Sequence, residues 1–302
     1  MQQALAFYIE QRKKLLAQQY AGFLISWDHE TQATEQSVIA NADQMGVLSA
    51  YSYELMTDAR FENAVETLFA HKDELDAVLA HEIEVTYKNI QETKKIPADE
   101  YVAYSQLMSE AYPIYVRAKR DNDFELFRPY LEKMFEYNKK FAKYCAPEKH
   151  PYDYCLDQYE KGLTMEKCDE FFATLKSKIV PLIKKIGEAQ QVDDSCIHGD
   201  FDELSQEKFS LELMKIMGID LGTCGLGTTE HPFTTSIGSH YDVRITTNYD
   251  RTNFASSMFS VIHEGGHALY EMGIADEITL SPVGGGASMG MHESQSRFYE
   301  NN

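Results

Sequence analysis

The stretch His263-Glu264-Gly265-Gly266-His267, set within the apolar run FASSMFSVIHEGGHALYEM, constrains this chain more than any other. Residues four apart lie on one face of a helix. His263 and His267 therefore aim two imidazoles at one point, the spacing a tetrahedral Zn²⁺ asks for. Glu264 falls one step round the helix, where it reaches a water at the open position of an ion instead of the ion itself. That is the place of a general base in metal-assisted hydrolysis. Any fold for this chain must bury an amphipathic helix and still leave its histidine face accessible.

HExxH alone also arises by chance, so a third ligand is the test. A catalytic zinc site takes three protein ligands and keeps a fourth position open. Gly290-Met291-His292-Glu293-Ser294-Gln295-Ser296-Arg297 offers Glu293 as that ligand. Gly273 to Gly286 reads as turn and loop, and helix-compatible sequence resumes near Ala287. Helix, loop, and a second helix bearing Glu is the gluzincin arrangement. The plainer reading of Glu293 is a solvated residue paired with Arg297 at i+4.

Neighbouring residues carry open alternatives. His292 is a supporting residue or a substitute ligand; its helix position, turned about 100° from Glu293, favours the carboxylate. Glu271 either hydrogen-bonds an imidazole or lies on a solvated face. Gly265 and Gly266 each cost a helix interior about 0.5–1 kcal/mol relative to Ala, so close approach by another backbone is the expected reason. A simple weak spot in the helix is the alternative. His29 and His240 read as surface or packing histidines.

The 302 residues, 43% of them hydrophobic, suffice for one large domain or two modest ones. A formal charge of −20 argues against nucleic acid and anionic membranes as partners and otherwise reads as solubility. No run approaches the roughly 18 apolar residues of a membrane span. The first residues, MQQALAFYIEQRKKLLAQQYAG, form an amphipathic helix pattern without a secretory h-region. The five cysteines make no CxxC pair and read as reduced thiols of a cytoplasmic protein.

Helical periodicity dominates the first two thirds. Leu5, Tyr8, Ile9, Arg12, Leu15, Leu16 and Gln19 trace one stripe, ending near Trp27, and helices are expected over 34–57, 73–94, 98–120, 124–144, 165–189 and 205–217. Asp123 and Thr164 read as helix caps, with Pro97, Pro147 and Pro151 at boundaries. The polar stretch 191–204 reads as a connector. From Gly218 the sequence turns to Gly, Thr and β-branched residues, and Tyr241 to Thr247 alternates as a strand. The edge of this β-element is expected to accept an extended peptide by strand addition.

Four blocks, in order, resemble the carboxypeptidase Taq family of metallocarboxypeptidases: His231-Pro232-Phe233, Asp242-Val243-Arg244-Ile245-Thr246 (DxRxT), HEGGHALYE and HESQSR. WDHET at 27–31 and PYDYCLDQYEKG at 151–162 also look like family sequence, so the resemblance spans essentially the whole chain. It implies a mainly α, elongated multi-helix fold with a small β-sheet beside the HExxH helix at a deep groove, frequently dimeric. In domain terms, 1–190 is expected to be a helical region covering the groove. Residues 191–302 are expected to form the catalytic region with the sheet, the HExxH helix and the third-ligand helix. The resemblance also implies metal-dependent release of single amino acids from peptides with a free C-terminus, Zn²⁺ being the usual ion and Co²⁺ a substitute. It makes His263, His267 and Glu293 the ligands, Glu264 the base and proton shuttle, and His231, Asp242, Arg244 and Thr246 residues of the substrate groove. Family members continue well past the third ligand, through IRxxAD and GxxQDxHW motifs. The C-terminal part of the family fold is therefore expected to be absent here.

Two roles within the groove stay open. His231 is a candidate donor to the tetrahedral oxyanion. Arg244, a cation borne on the DxRxT block, is able to grip a terminal carboxylate bidentately, or else it is a structural ion pair with Asp242 or another acid. The competing functional readings are a related gluzincin endo-oligopeptidase, and an inactive helical remnant that binds metal poorly.

Overall fold

The computed structural model describes residues 1–301. The N-terminal part is a series of helices: α1 (Gln2–Thr31), α2 (Glu35–Ala40), α3 (Ala42–Thr57), α4 (Ala59–Ala70), α5 (Ala77–Thr93), α6 (Ala98–Asp121), α7 (Phe124–Cys145), α8 (Pro151–Tyr159) and α9 (Met165–Glu188). Thr or Asp caps explain where four of them begin. Thr34, Asp58, Asp76 and Thr164 accept hydrogen bonds from first-turn backbone amides of α2, α4, α5 and α9. Asp123 precedes α7 without making such a bond. The helix expected over 34–57 is two helices broken at Asn41, and the one expected over 73–94 begins only at Ala77.

The α1 stripe packs as its periodicity requires. Tyr8 is fully buried with Phe61, Val65, Leu68, Ile83 and Ile90 in a first apolar core. Arg12, on the same stripe, pairs with the buried Glu82 at 2.8 Å, and the Tyr8 hydroxyl donates to that carboxylate at 2.6 Å. A charge taken out of water is thereby partnered on both sides.

The C-terminal part comprises α10 (Glu203–Ile216), β1 (Cys224–Thr228), β2 (Thr234–Ser236), β3 (Val243–Thr247), α11 (Phe254–Met272) and α12 (Met289–Asn301), and α10, β1, β3 and α11 enclose a second core. It contains Met214, Ile219, Cys224, Val243, Ile245, Val261 and Ala268. The three strands run in the order β1-β3-β2, with β1 parallel and β2 antiparallel to β3. The expected strand over Tyr241–Thr247 is therefore the central one. Both its edges are paired, and strand addition to β3 is closed; the outer strands are β1 and β2.

The two parts meet at the sheet. Trp27 of α1 packs edge-on to Phe233 with ring centroids 5.7 Å apart. A Cβ on Gly227 would come within 2.8 Å of the Trp27 ring, so only glycine admits the indole there. The hydroxyls of Tyr112 and Thr229 bond at 2.9 Å. Among the described residues no helix is long and apolar enough to cross a membrane.

Candidate metal centre

α11 starts at Asn253, whose side chain accepts from the Ala255 amide, and it lies against the sheet with Val261 and Ala268 inward. α12 then packs across it. The contact is close because Gly266 has no side chain: a Cβ there would lie 2.7 Å from the Ser296 Cα and 2.9 Å from the Gln295 carbonyl. The glycine is thus explained by an approaching backbone, as expected. Gly265 instead makes room for the side chains of Met217 and Ile219.

This crossing brings His263, His267 and Glu293 together. One nitrogen from each imidazole and one carboxylate oxygen lie within 4.8 Å of one another. Glu293 Oε2 is 3.6 Å from His263 Nε2 and 3.3 Å from His267 Nε2. Donors about 2.0–2.2 Å from a tetrahedral centre stand about 3.3–3.6 Å apart along its edges. The separations are those of ligands sharing one small cation, and two imidazoles with a carboxylate are a fitting donor set for it. The other Glu293 oxygen accepts from Arg297 Nε at 3.0 Å. The pair with Arg297 thus occupies one Glu293 oxygen and leaves the other facing the two imidazoles.

Electrostatics prepares the donors. Burial, reinforced by the neighbouring imidazoles of His292 and His263, brings His267 down to about 4, so it is neutral near pH 7 with a lone pair to give. Glu264 is buried, and loss of water raises its carboxyl above the ordinary range despite a hydrogen bond from Thr234. The Thr234 hydroxyl lies 2.6 Å from Glu264 Oε2 and 3.1 Å from the Glu264 carbonyl. Nothing in the sequence singled out Thr234; it follows HPF on β2 and is found only from the packing of that strand on α11.

His292 does not reach the shared point. Its Nδ1 is 2.5 Å from His267 Nδ1, and its Nε2 is 2.7 Å from Glu271 Oε1. Glu271 does buttress an imidazole, that of His292. Burial alone would raise its carboxyl, but bonds from His292 and Ser236 bring it below the usual range. A cavity of about 320 Å³ adjoins this group, lined by Thr234, Ser236, Glu271 and His292, with Phe23 of α1 and Pro282 of the α11–α12 loop opposite.

The groove residues are less uniform. His231 is exposed on the turn before β2. Arg244 is held by Asp242 through a bidentate pair at 2.8 and 2.7 Å, with its guanidinium 5.4 Å from the Trp27 ring centroid. The ion-pair reading of Arg244 is the one the geometry bears out, because both carboxylate oxygens already fill its fork. Thr246 is fully buried; its hydroxyl accepts from the Phe233 amide at 2.7 Å and donates to the Phe233 carbonyl at 3.1 Å. It fastens the HPF turn to β3 and is sealed from any groove.

The chain is similar to known proteins over nearly its whole length. Carboxypeptidase 1 of Bacillus subtilis (strain 168) is 38% identical over 279 residues, covering 92% of this chain and 56% of the relative. Thermostable carboxypeptidase 1 of Pyrococcus furiosus is 33% identical over 96% of this chain and 58% of its own length. The crystal structure of BsuCP superposes with a TM-score of 0.95 at 36% identity, over 100% of this chain and 60% of that one. For the M32 carboxypeptidase of Deinococcus radiodurans R1 the TM-score is 0.87 at 28% identity, over 99% and 60%. The chain thus spans a little over half the length of the relatives it matches. With residues 8–302 also fitting the family pattern for carboxypeptidase Taq (M32) metallopeptidases, the chain belongs to that family.

Proposed function

We propose that this chain carries the metal centre of a zinc carboxypeptidase that hydrolyses the C-terminal peptide bond of peptides and releases single amino acids. One observation carries the reading: two imidazole nitrogens and a carboxylate oxygen from α11 and α12 converge within 4.8 Å. Membership of a metallopeptidase family implies a divalent metal; the nitrogen-rich, three-donor set favours Zn²⁺, with Co²⁺ as a substitute. When bound, the ion supplies Lewis acidity.

The rest is work for the chain's own groups. Glu264, made more basic by burial and aimed by Thr234, takes a proton from the attacking water and passes it to the departing amine. His231, exposed at the turn, is the groove donor to the developing oxyanion. Asp242, Arg244 and Thr246 serve the groove by holding β3 and the HPF turn in place, and Arg244 grips a terminal carboxylate only by exchanging Asp242 for it. Residues 1–190 cover the groove, consistent with Leu16, Gln19 and Phe23 of α1 facing the cavity, and 191–302 form the catalytic region. A cytoplasmic setting suits five cysteines that are all unpaired. A homodimer follows from the family resemblance alone.

A matched pair of peptides, one with a free C-terminus and one amidated, tests the reaction. The free peptide is expected to lose single residues while the amide is spared; equal cleavage of both would make the protein an endo-oligopeptidase. Glu264→Gln is expected to bind metal as before and to lose turnover by about 10²–10⁴-fold. The alternative of an inactive helical remnant predicts poor metal binding by the unaltered chain. Elemental analysis tests it, and about one Zn²⁺ per chain would speak against it.

A further inference from the structure

The hydrogen bonds behind the two α11 histidines determine which ring nitrogen each offers to the shared point. A carboxylate oxygen only accepts, and a neutral imidazole has one donor and one acceptor nitrogen. The Ser236 hydroxyl donates to Glu271 Oε2 at 2.9 Å, and Glu271 Oε1 stands 2.7 Å from His292 Nε2. His292 Nε2 must therefore hold the proton, which leaves its Nδ1 bare. That bare nitrogen is 2.5 Å from His267 Nδ1, so His267 is the donor in this bond. Its own Nε2 is left with the lone pair, 3.3 Å from Glu293 Oε2.

The same rule acts directly on His263. Glu300 Oε2 accepts from Arg297 Nη1 at 2.7 Å and lies 3.2 Å from His263 Nδ1, which must be a donor too. Its Nε2 then also carries a lone pair, 3.6 Å from the same Glu293 oxygen. The loop pins the intermediary ring: a Cβ on Gly286 would fall 2.6 Å from His292 Cδ2, so the loop backbone lies against the edge of the imidazole.

We propose that Glu271, acting through His292, and Glu300, acting directly, are positioning residues that lock His267 and His263 in the tautomer protonated on Nδ1 and bare on Nε2. The metal arm of the test rests on the reading of both histidines as ligands; the tautomer arm does not. Orienting partners of this kind typically matter ten- to a hundredfold in metal affinity.

Ring ¹⁵N–¹H correlation spectra of the metal-free chain at pH 8, with ¹⁵N-histidine, read the tautomers directly. Protons on Nδ1 of His263 and His267 and on Nε2 of His292 are expected; a proton on Nε2 of His267 would overturn the proposal. Glu271→Gln places an amide, which can donate, against His292 and allows the chain to run backwards. Its Zn²⁺ affinity, measured by competition with a chromophoric chelator, is expected to fall about ten- to a hundredfold, with Glu271→Asp recovering part of the loss. Unchanged affinity with unchanged tautomers in Glu271→Gln would refute it. Should the unaltered chain show the stated tautomers yet bind no Zn²⁺, the ligand reading fails and the relay stands. If Glu271→Gln does not fold, the spectrum of the unaltered chain decides alone.

Discussion

α9 and α11 are both long amphipathic helices, of 24 and 19 residues, and they end up in opposite surroundings. α11 buries nine residues, among them Glu264, His267 and Glu271, between the sheet and α12. α9 buries none, and Phe171, Leu175, Ile179, Leu182, Ile183 and Ile186 all stay exposed. The 3.6-residue period tells which face of a helix would be covered; the neighbours decide whether it is. In α11 the covering neighbours also make the chemistry, since the strand that shields the helix carries Thr234 and the helix that crosses it carries Glu293.

The largest expected difference between the two helices lies in their apolar contacts. Met214→Ala, in the core beneath α11, is expected to destabilise the fold by about 2–5 kcal/mol. Ile183→Ala on α9 should stay within about 0.5 kcal/mol. Equilibrium denaturation of both variants checks the contrast, and equal losses would mean that α9 is buried in solution.

The glycines sharpen it. Gly266→Ala drives a Cβ into the α12 backbone and is expected to cost about 1–3 kcal/mol, with weakened metal binding as Glu293 moves away. A Cβ on Gly187 of α9 meets nothing within 4 Å, so Gly187→Ala should be neutral or stabilising by up to about 1 kcal/mol. Thermal melts with and without Zn²⁺ distinguish the two.

The smallest effect concerns thiols. Burial, helped by Asp242, pushes Cys224 beneath α11 up to about 12, whereas Cys168 of α9 is partly exposed. A neutral thiol does not alkylate, so at pH 8 iodoacetamide is expected to modify Cys168 and spare Cys224 until the protein unfolds. The stability contributed by the raised Cys224 value is complete below the ordinary thiol pKa and is lost as pH climbs through about 12.

Much of this was legible in the residues. The i,i+4 histidines, the loop after Gly273 and a carboxylate on the next helix point to one shared position, because helix geometry leaves little choice. Other features were hidden for physical reasons. α4 carries no boundary signal in the sequence, because a single residue, Asp58, separates it from α3 and caps it, leaving no loop between them. α8 is capped by the His150 imidazole, outside the usual Ser, Thr, Asp and Asn signals. Arg244 could not be assigned from spacing, because Asp242 two residues earlier on the chain competes for it at no cost in loop closure. Thr234 and the His267–His292 bond depend on how separate elements pack, which no local pattern encodes.

Crystals soaked in Zn²⁺ and measured across the zinc absorption edge give the most direct test of the metal centre. One strong anomalous peak is expected about 2.0–2.2 Å from His263 Nε2, His267 Nε2 and a Glu293 oxygen. No peak between α11 and α12, or one that leaves Glu293 bound to Arg297 alone, would contradict the reading of these three side chains as a single cation site.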